Sequence, residues 1–72
     1  MNPLLPSPGL YRHYKGPLYT VIDCARHSET EEWFVVYRTE YGERGLWIRP
    51  LAMFTEEVLC EGRKVPRFAK VD

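Results

Sequence analysis

From Gly9 to Phe68 the chain alternates apolar and polar residues over short runs, and clusters of Gly, Pro, Ser and Glu separate the runs. This is the period-two pattern of strands joined by turns. Leu10 to Tyr14 predicts a short strand, and Lys15-Gly16-Pro17 predicts a turn into a longer one, Leu18 to His27, with which it should form a hairpin. In that longer run Leu18, Thr20, Ile22, Cys24 and Arg26 form one alternate set, and Tyr19, Val21, Asp23, Ala25 and His27 form the other. Both sets begin apolar and end polar. The strand therefore runs from core to edge or carries a bulge near Asp23 that switches its buried phase.

After the polar segment Ser28 to Glu31, the run Glu32 to Arg38 has Trp33, Val35 and Tyr37 on one face and Phe34 and Val36 on the other. Apolar residues on both faces predict a central strand. Tyr41-Gly42-Glu43-Arg44-Gly45 is the next turn, and Leu46 to Arg49 is a short strand ended by Pro50. Leu51 to Phe54 is too short for a stable α-helix and fits a single helical or 3₁₀ turn plugging a barrel end. Thr55 to Glu61 resumes extended structure, Gly62 turns the chain, and Val65 to Phe68 adds a last edge strand. The expected fold is all-β: a small SH3-like barrel of five or six short strands with one short helical turn. An OB-like barrel is disfavoured, because it needs more chain and a helix between strands. Met1 to Pro8, with three prolines, is read as a flexible lead before one domain over 9–72.

At 72 residues the chain has room for one small core. Ten acidic residues balance ten basic ones, which removes the global attraction typical of nucleic-acid and anionic-membrane binders. Charge is still uneven, with Glu29, Glu31 and Glu32 clustered mid-chain and Arg63, Lys64, Arg67 and Lys70 near the end. Two separated cysteines, Cys24 and Cys60, make no disulfide framework and read as reduced thiols. No apolar run approaches the ~20 residues of a membrane span or the pattern of a signal peptide, so a cytoplasmic monomer is expected.

Candidate chemistry is sparse. His27-Ser28-Glu29 superficially resembles the His-x-Glu of zinc deaminases, but no Pro-Cys-x-x-Cys follows it. His13, His27, Cys24 and Cys60 are zinc ligands in type but are dispersed along the sequence, so neither a metal nor a cofactor is expected. Ser28 and Thr30, beside His27, are read as satisfying the turn backbone rather than as nucleophiles. The ten aromatic rings are more telling, since they exceed what one core of this size can bury completely. Tyr and Trp left open beside Arg or His suit stacking and cation–π recognition.

The string Gly9-x-Tyr11-x-His13-Tyr14-Lys15-Gly16, Tyr19-x-Val21, Ala25-x-His27-x-Glu29-Thr30, Val35-Val36-Tyr37, Tyr41-Gly42 and Trp47-Ile48-Arg49-Pro50 with Met53-Phe54 carries a resemblance. It covers about Gly9 to Val58 and is similar to the bacterial domain-of-unknown-function 1653 family, with Ile48 where Val is common. The resemblance implies a small β fold and no established activity. It carries over His13, Tyr14, His27, Glu29, Thr30, Trp47 and Arg49 as the polar or aromatic positions of the shared motif.

Those seven residues are the candidate ligand-binding set, expected to line one shallow groove for a small polar ligand or an extended peptide. A second reading is nucleic-acid binding through Arg12, Lys15 and the basic segment Arg63 to Lys70; the zero net charge argues against it. A third makes His27 and Glu29 an acid–base pair in a small enzyme. No catalytic residue is assigned, and the non-enzymatic module is preferred.

Overall fold

The computed structural model describes residues 4–71; the first three residues of the proline-bearing lead lie outside them. Seven strands and one helical turn follow in the order β1 (Gly9–His13), β2 (Leu18–Arg26), β3 (Trp33–Thr39), β4 (Leu46–Pro50), α1 (Leu51–Phe54), β5 (Glu57–Cys60), β6 (Arg63–Pro66) and β7 (Phe68–Lys70). Five of the strands make one antiparallel sheet in the order β4-β3-β2-β1-β7, and β5 and β6 form a separate hairpin. The protein is all-β apart from α1. No ladder among the described residues joins β4 to β7, so hydrogen bonding does not close the sheet into a barrel.

The expected central strand is central: β3 lies between β2 and β4. The bulge is also where the alternation breaks, with Val21 opposite Tyr37 and Asp23 opposite Val36, so that Ile22 is the extra residue. Tyr19 and Val21 point inward before it, Cys24 turns inward after it, and Ile22 is exposed. One inserted residue lets a strand with two mixed faces serve a single core.

Two details differ from the sequence reading. The strand count is seven rather than five or six, and the expected last strand Val65 to Phe68 is broken at Arg67. Val65 belongs to the β5–β6 hairpin, whose two-residue turn sets Glu61 at φ 51° and Gly62 at φ 77°. Positive φ at both turn positions matches the right-handed twist of the strands they join. Phe68 belongs to β7, which pairs with β1 at Tyr11–Lys70, Arg12–Ala69 and His13–Phe68. Where β7 crosses the start of β1, Gly9 adopts φ 142°, and a Cβ there would stand 3.0 Å from Cε of Lys70. The close approach and the backbone angle together call for glycine.

The core is aromatic. Tyr11, Tyr19, Val21, Val35, Tyr37, Phe54 and Phe68 are buried, with Cys24 and Leu51 packed against them. Phe54, delivered by α1, stacks on Phe68 with ring centroids 4.2 Å apart and planes 5° apart. Edge-on contacts join Phe68 to Tyr19 at 5.3 Å and to His13 at 5.0 Å. The expected helical turn is present and carries Phe54 into the core, although the described residues form no closed barrel for it to plug.

These contacts set an expected stability order. Phe54 is 2% exposed and Ile48 on edge strand β4 is 60% exposed. Phe54→Ala should cost about 3–5 kcal/mol, comparable with the whole stability of a domain of this size, on the order of 5 kcal/mol. Ile48→Ala should stay within about 0.5 kcal/mol of the parent. Urea unfolding followed by circular dichroism measures both; equal losses would contradict the core described here.

Candidate functional site

Paired residues of an antiparallel ladder share a face, so the inner face of β4 is set by its register on β3. Val35 lies opposite Arg49, and Tyr37 lies opposite Trp47. On the next strand Tyr19 lies opposite Thr39. The side chains of Tyr19, Tyr37, Thr39, Trp47 and Arg49, with Tyr41 from the β3–β4 loop, line a hollow of about 340 Å³. Gly42, Glu43 and Gly45 form its loop wall. Its floor is buried, whereas Trp47 is 59% and Tyr41 51% exposed.

Hydrogen bonds hold the loop that carries Tyr41 and Glu43. Thr20 Oγ1 donates to Glu40 Oε2 at 2.5 Å, Arg44 pairs with the other oxygen of Glu40 at 2.6 Å, and Arg38 donates to the Arg44 carbonyl at 2.6 Å. The Thr20 hydroxyl first, and the Arg44 guanidinium after it, keep the Glu40 carboxyl below its ordinary value. Inside the hollow the hydroxyls of Tyr19 and Tyr41 meet at 3.1 Å. Burial, and then the bond to Tyr41, push the Tyr19 phenol up to about 12, so it stays protonated as a donor at neutral pH.

The seven residues singled out from the sequence fall into three groups. Trp47 and Arg49 line the hollow. His13 and Tyr14, with rings 4.7 Å apart, line a different depression together with Cys60, Val65 and Pro66, although the His13 ring also lies 6.3 Å from Tyr19 and 5.0 Å from Phe68. His27, Glu29 and Thr30 lie at the β2–β3 loop instead. There His27 Nδ1 accepts the backbone N–H groups of Glu29 at 3.1 Å and Thr30 at 3.3 Å. None of these three is among the residues that line the hollow. The structure therefore does not bring all seven to one groove. His27 acts as the acceptor that organises its own turn, close to the role expected for Ser28 and Thr30.

Sequence reasoning missed Tyr19, Tyr37, Thr39, Tyr41 and Glu43. The pattern held a usable signal: once 41–45 is read as a hairpin connection, Tyr37 and Thr39 fall on the same face as Trp47 and Arg49. The basic segment is dispersed, with Arg63 and Lys64 on β6, Arg67 paired with Glu56, and Lys70 on β7. Among the described residues no group of three or more His, Cys, Asp and Glu side chains is placed to hold a metal ion, and Cys24 and Cys60 are free thiols. No helix of the described residues is long and apolar enough to cross a membrane.

Fold and hollow together define a small antiparallel β protein with an aromatic concavity at the edge of its sheet. The model of a family described as a protein of unknown function, DUF1653, matches residues 9–70, and the chain belongs to that family. It is similar to the crystal structure of a protein belonging to DUF1653 from Bordetella bronchiseptica. The two are 42% identical, with a TM-score of 0.82 over 90% of this chain and 86% of that one. No curated protein matches the chain significantly.

His13 gives the neighbourhood of the hollow a measurable charge signature. Burial first, then the positive charges of Arg49, Arg67 and Lys15, lower its pKa from the ordinary 6.5. The unfolded chain therefore takes up this proton at a higher pH than the folded one. The contribution of the neutral ring to stability is complete above pH 6.5 and is lost progressively as the pH falls below it. An NMR titration should place the His13 midpoint below 6.5, and His13→Gln should weaken the rise in stability between about pH 5 and about pH 7. A midpoint at or above 6.5 would contradict the placement of this ring among cations.

Proposed function

We propose that this chain is a non-enzymatic binding module with an SH3-like arrangement, 9–72 forming one domain, whose hollow receives a single ring-sized group of a small polar ligand or of an extended peptide. The SH3-like reading is supported by the last strand lying beside the first and by α1 plugging the end of the sheet. The functional reading rests on one observation: Trp47 and Tyr41 stay largely exposed at a concave spot although Tyr11, Tyr19, Tyr37, Phe54 and Phe68 are buried. Large rings left open over a preformed depression are the usual ground for recognition by stacking. A hollow of about 340 Å³ is at the small end of ligand pockets, so it seats one ring rather than a folded partner. The hydroxyls of Tyr19, Tyr41 and Thr39 supply polar edges that orient what enters.

Trp33 lies in the β2–β3 region and stacks with Arg26, away from the hollow. In a Trp33→Phe background the fluorescence of Trp47 alone therefore reports on occupancy. N-acetyltyrosine amide, a neutral ring carrier, should give a saturable change with a dissociation constant of roughly 1 mM, equivalent to about 4 kcal/mol. Trp47→Ala, followed by NMR, should weaken binding about tenfold or more while shifting the melting temperature by less than about 8 °C. Absence of saturation at tens of millimolar, or chemical-shift changes mapping outside the hollow, would refute the reading.

A further inference from the structure

Three arginines of the described chain are half-buried, and two of them have polar partners. Arg38 donates to the Arg44 carbonyl, and Arg67 pairs with Glu56. Arg49 is the third. Its guanidinium lies 5.2 Å from the centre of the Phe68 ring, and among the described residues it has neither a carboxylate within 4.0 Å nor a side-chain hydrogen bond. A guanidinium stacked on a ring is fixed in orientation while the N–H groups around its plane remain available. A half-desolvated cation with no anionic partner is expensive to keep. One that borders an aromatic hollow has its partner in whatever fills the hollow.

We infer that the ligand of the hollow carries a carboxylate, which docks on the free N–H groups of Arg49 while the attached ring packs against Trp47, Tyr37 and Tyr41. This deepens the binding-module reading and rests on it. Carboxylate geometry matches the guanidinium fork, which can form two parallel charge-assisted hydrogen bonds. The surroundings agree with an anion at this end. The same Arg49, with Arg67 and Lys15, makes the neighbourhood of His13 unfavourable to a further positive charge. The Tyr19 phenol stays protonated and so adds a hydroxyl rather than a negative charge. Glu43, the one acidic residue of the lining, belongs to the loop wall and makes no ion pair with Arg49. The ring end of the ligand therefore points toward the loop and the carboxylate toward β1 and β7. The carboxylate belongs either to a free small acid or to the end of a peptide chain; the chemistry at Arg49 is the same.

The test compares N-acetyltyrosine with its amide on the Trp33→Phe protein at low salt, using Trp47 fluorescence and NMR shifts. The acid should bind about tenfold or more tightly than the amide, and Arg49→Gln should remove that preference, bringing the two affinities within about twofold of each other. Glu43→Gln should strengthen binding of the acid by a few fold. Arg49→Lys serves as a second variant if the glutamine form folds poorly; it keeps the charge, loses the fork, and should retain only part of the preference. Ac-Ala-Ala-Tyr with a free carboxylate distinguishes the sources: tighter binding than N-acetyltyrosine assigns the carboxylate to a chain end, and equal binding assigns it to a small acid. If the amide binds as well as the acid, the carboxylate assignment falls while the hollow stands. If neither binds, the hollow falls with it.

Discussion

The Phe68 ring is the contact on which the rest of this protein depends. It sits on a three-residue strand that could not persist alone, yet it stacks face to face with Phe54 and meets Tyr19 and His13 edge-on. Through it the end of the chain, the helical turn and the first two strands share one small core. Phe68 also supports Arg49 from below, so the ring that completes the core orients the cation at the rim. A domain with so little apolar material gains by using each large ring twice.

That economy explains the form of the hollow. Phe54 of α1 and Phe68, from the sheet's own edge strand β7, cover part of the inner face, and β3 and β4 run past them toward the 41–45 loop. Tyr37 lies in the covered part, Trp47 in the uncovered part, and the hollow opens between them. The Thr20, Glu40 and Arg44 contacts hold the loop wall in place. The concavity is thus a preformed consequence of a sheet longer than its cover.

Much of this architecture was legible in the sequence, because backbone pattern is a local signal. The mixed faces of Leu18 to Arg26 implied either a core-to-edge strand or a bulge, and the register shift at Val21 and Asp23 displays the bulge. The apolar faces of Glu32 to Arg38 implied a central strand, and Leu51 to Phe54 implied the helical turn. The break at Arg67 was not legible. Arg67 is held by the backbone of Glu56 and by that residue's carboxylate, and its carbonyl accepts the Tyr14 N–H, partners remote in sequence. The site was half legible for the same reason. Trp47 and Arg49 stood out as exposed-type residues in a motif, whereas His27 and Glu29 looked like chemistry because they are close in sequence. Short sequence distance in a loop meant a local turn, with the His27 ring bonded to backbone N–H groups. Convergence on the hollow required the pairing of three strands, which no local pattern encodes.

Native-state hydrogen exchange addresses the dependence on Phe68 most directly. The Tyr14 N–H bonds the Arg67 carbonyl and the Val71 N–H bonds the Leu10 carbonyl, so these two amides report on the junction of β1 with β7. If Phe68 ties the last strand into the core, both amides exchange only through global unfolding, with the same protection free energy as the amides of central strand β3. If they exchange well before β3 while β3 keeps full protection, the last strand opens on its own and Phe68 does not hold the structure together.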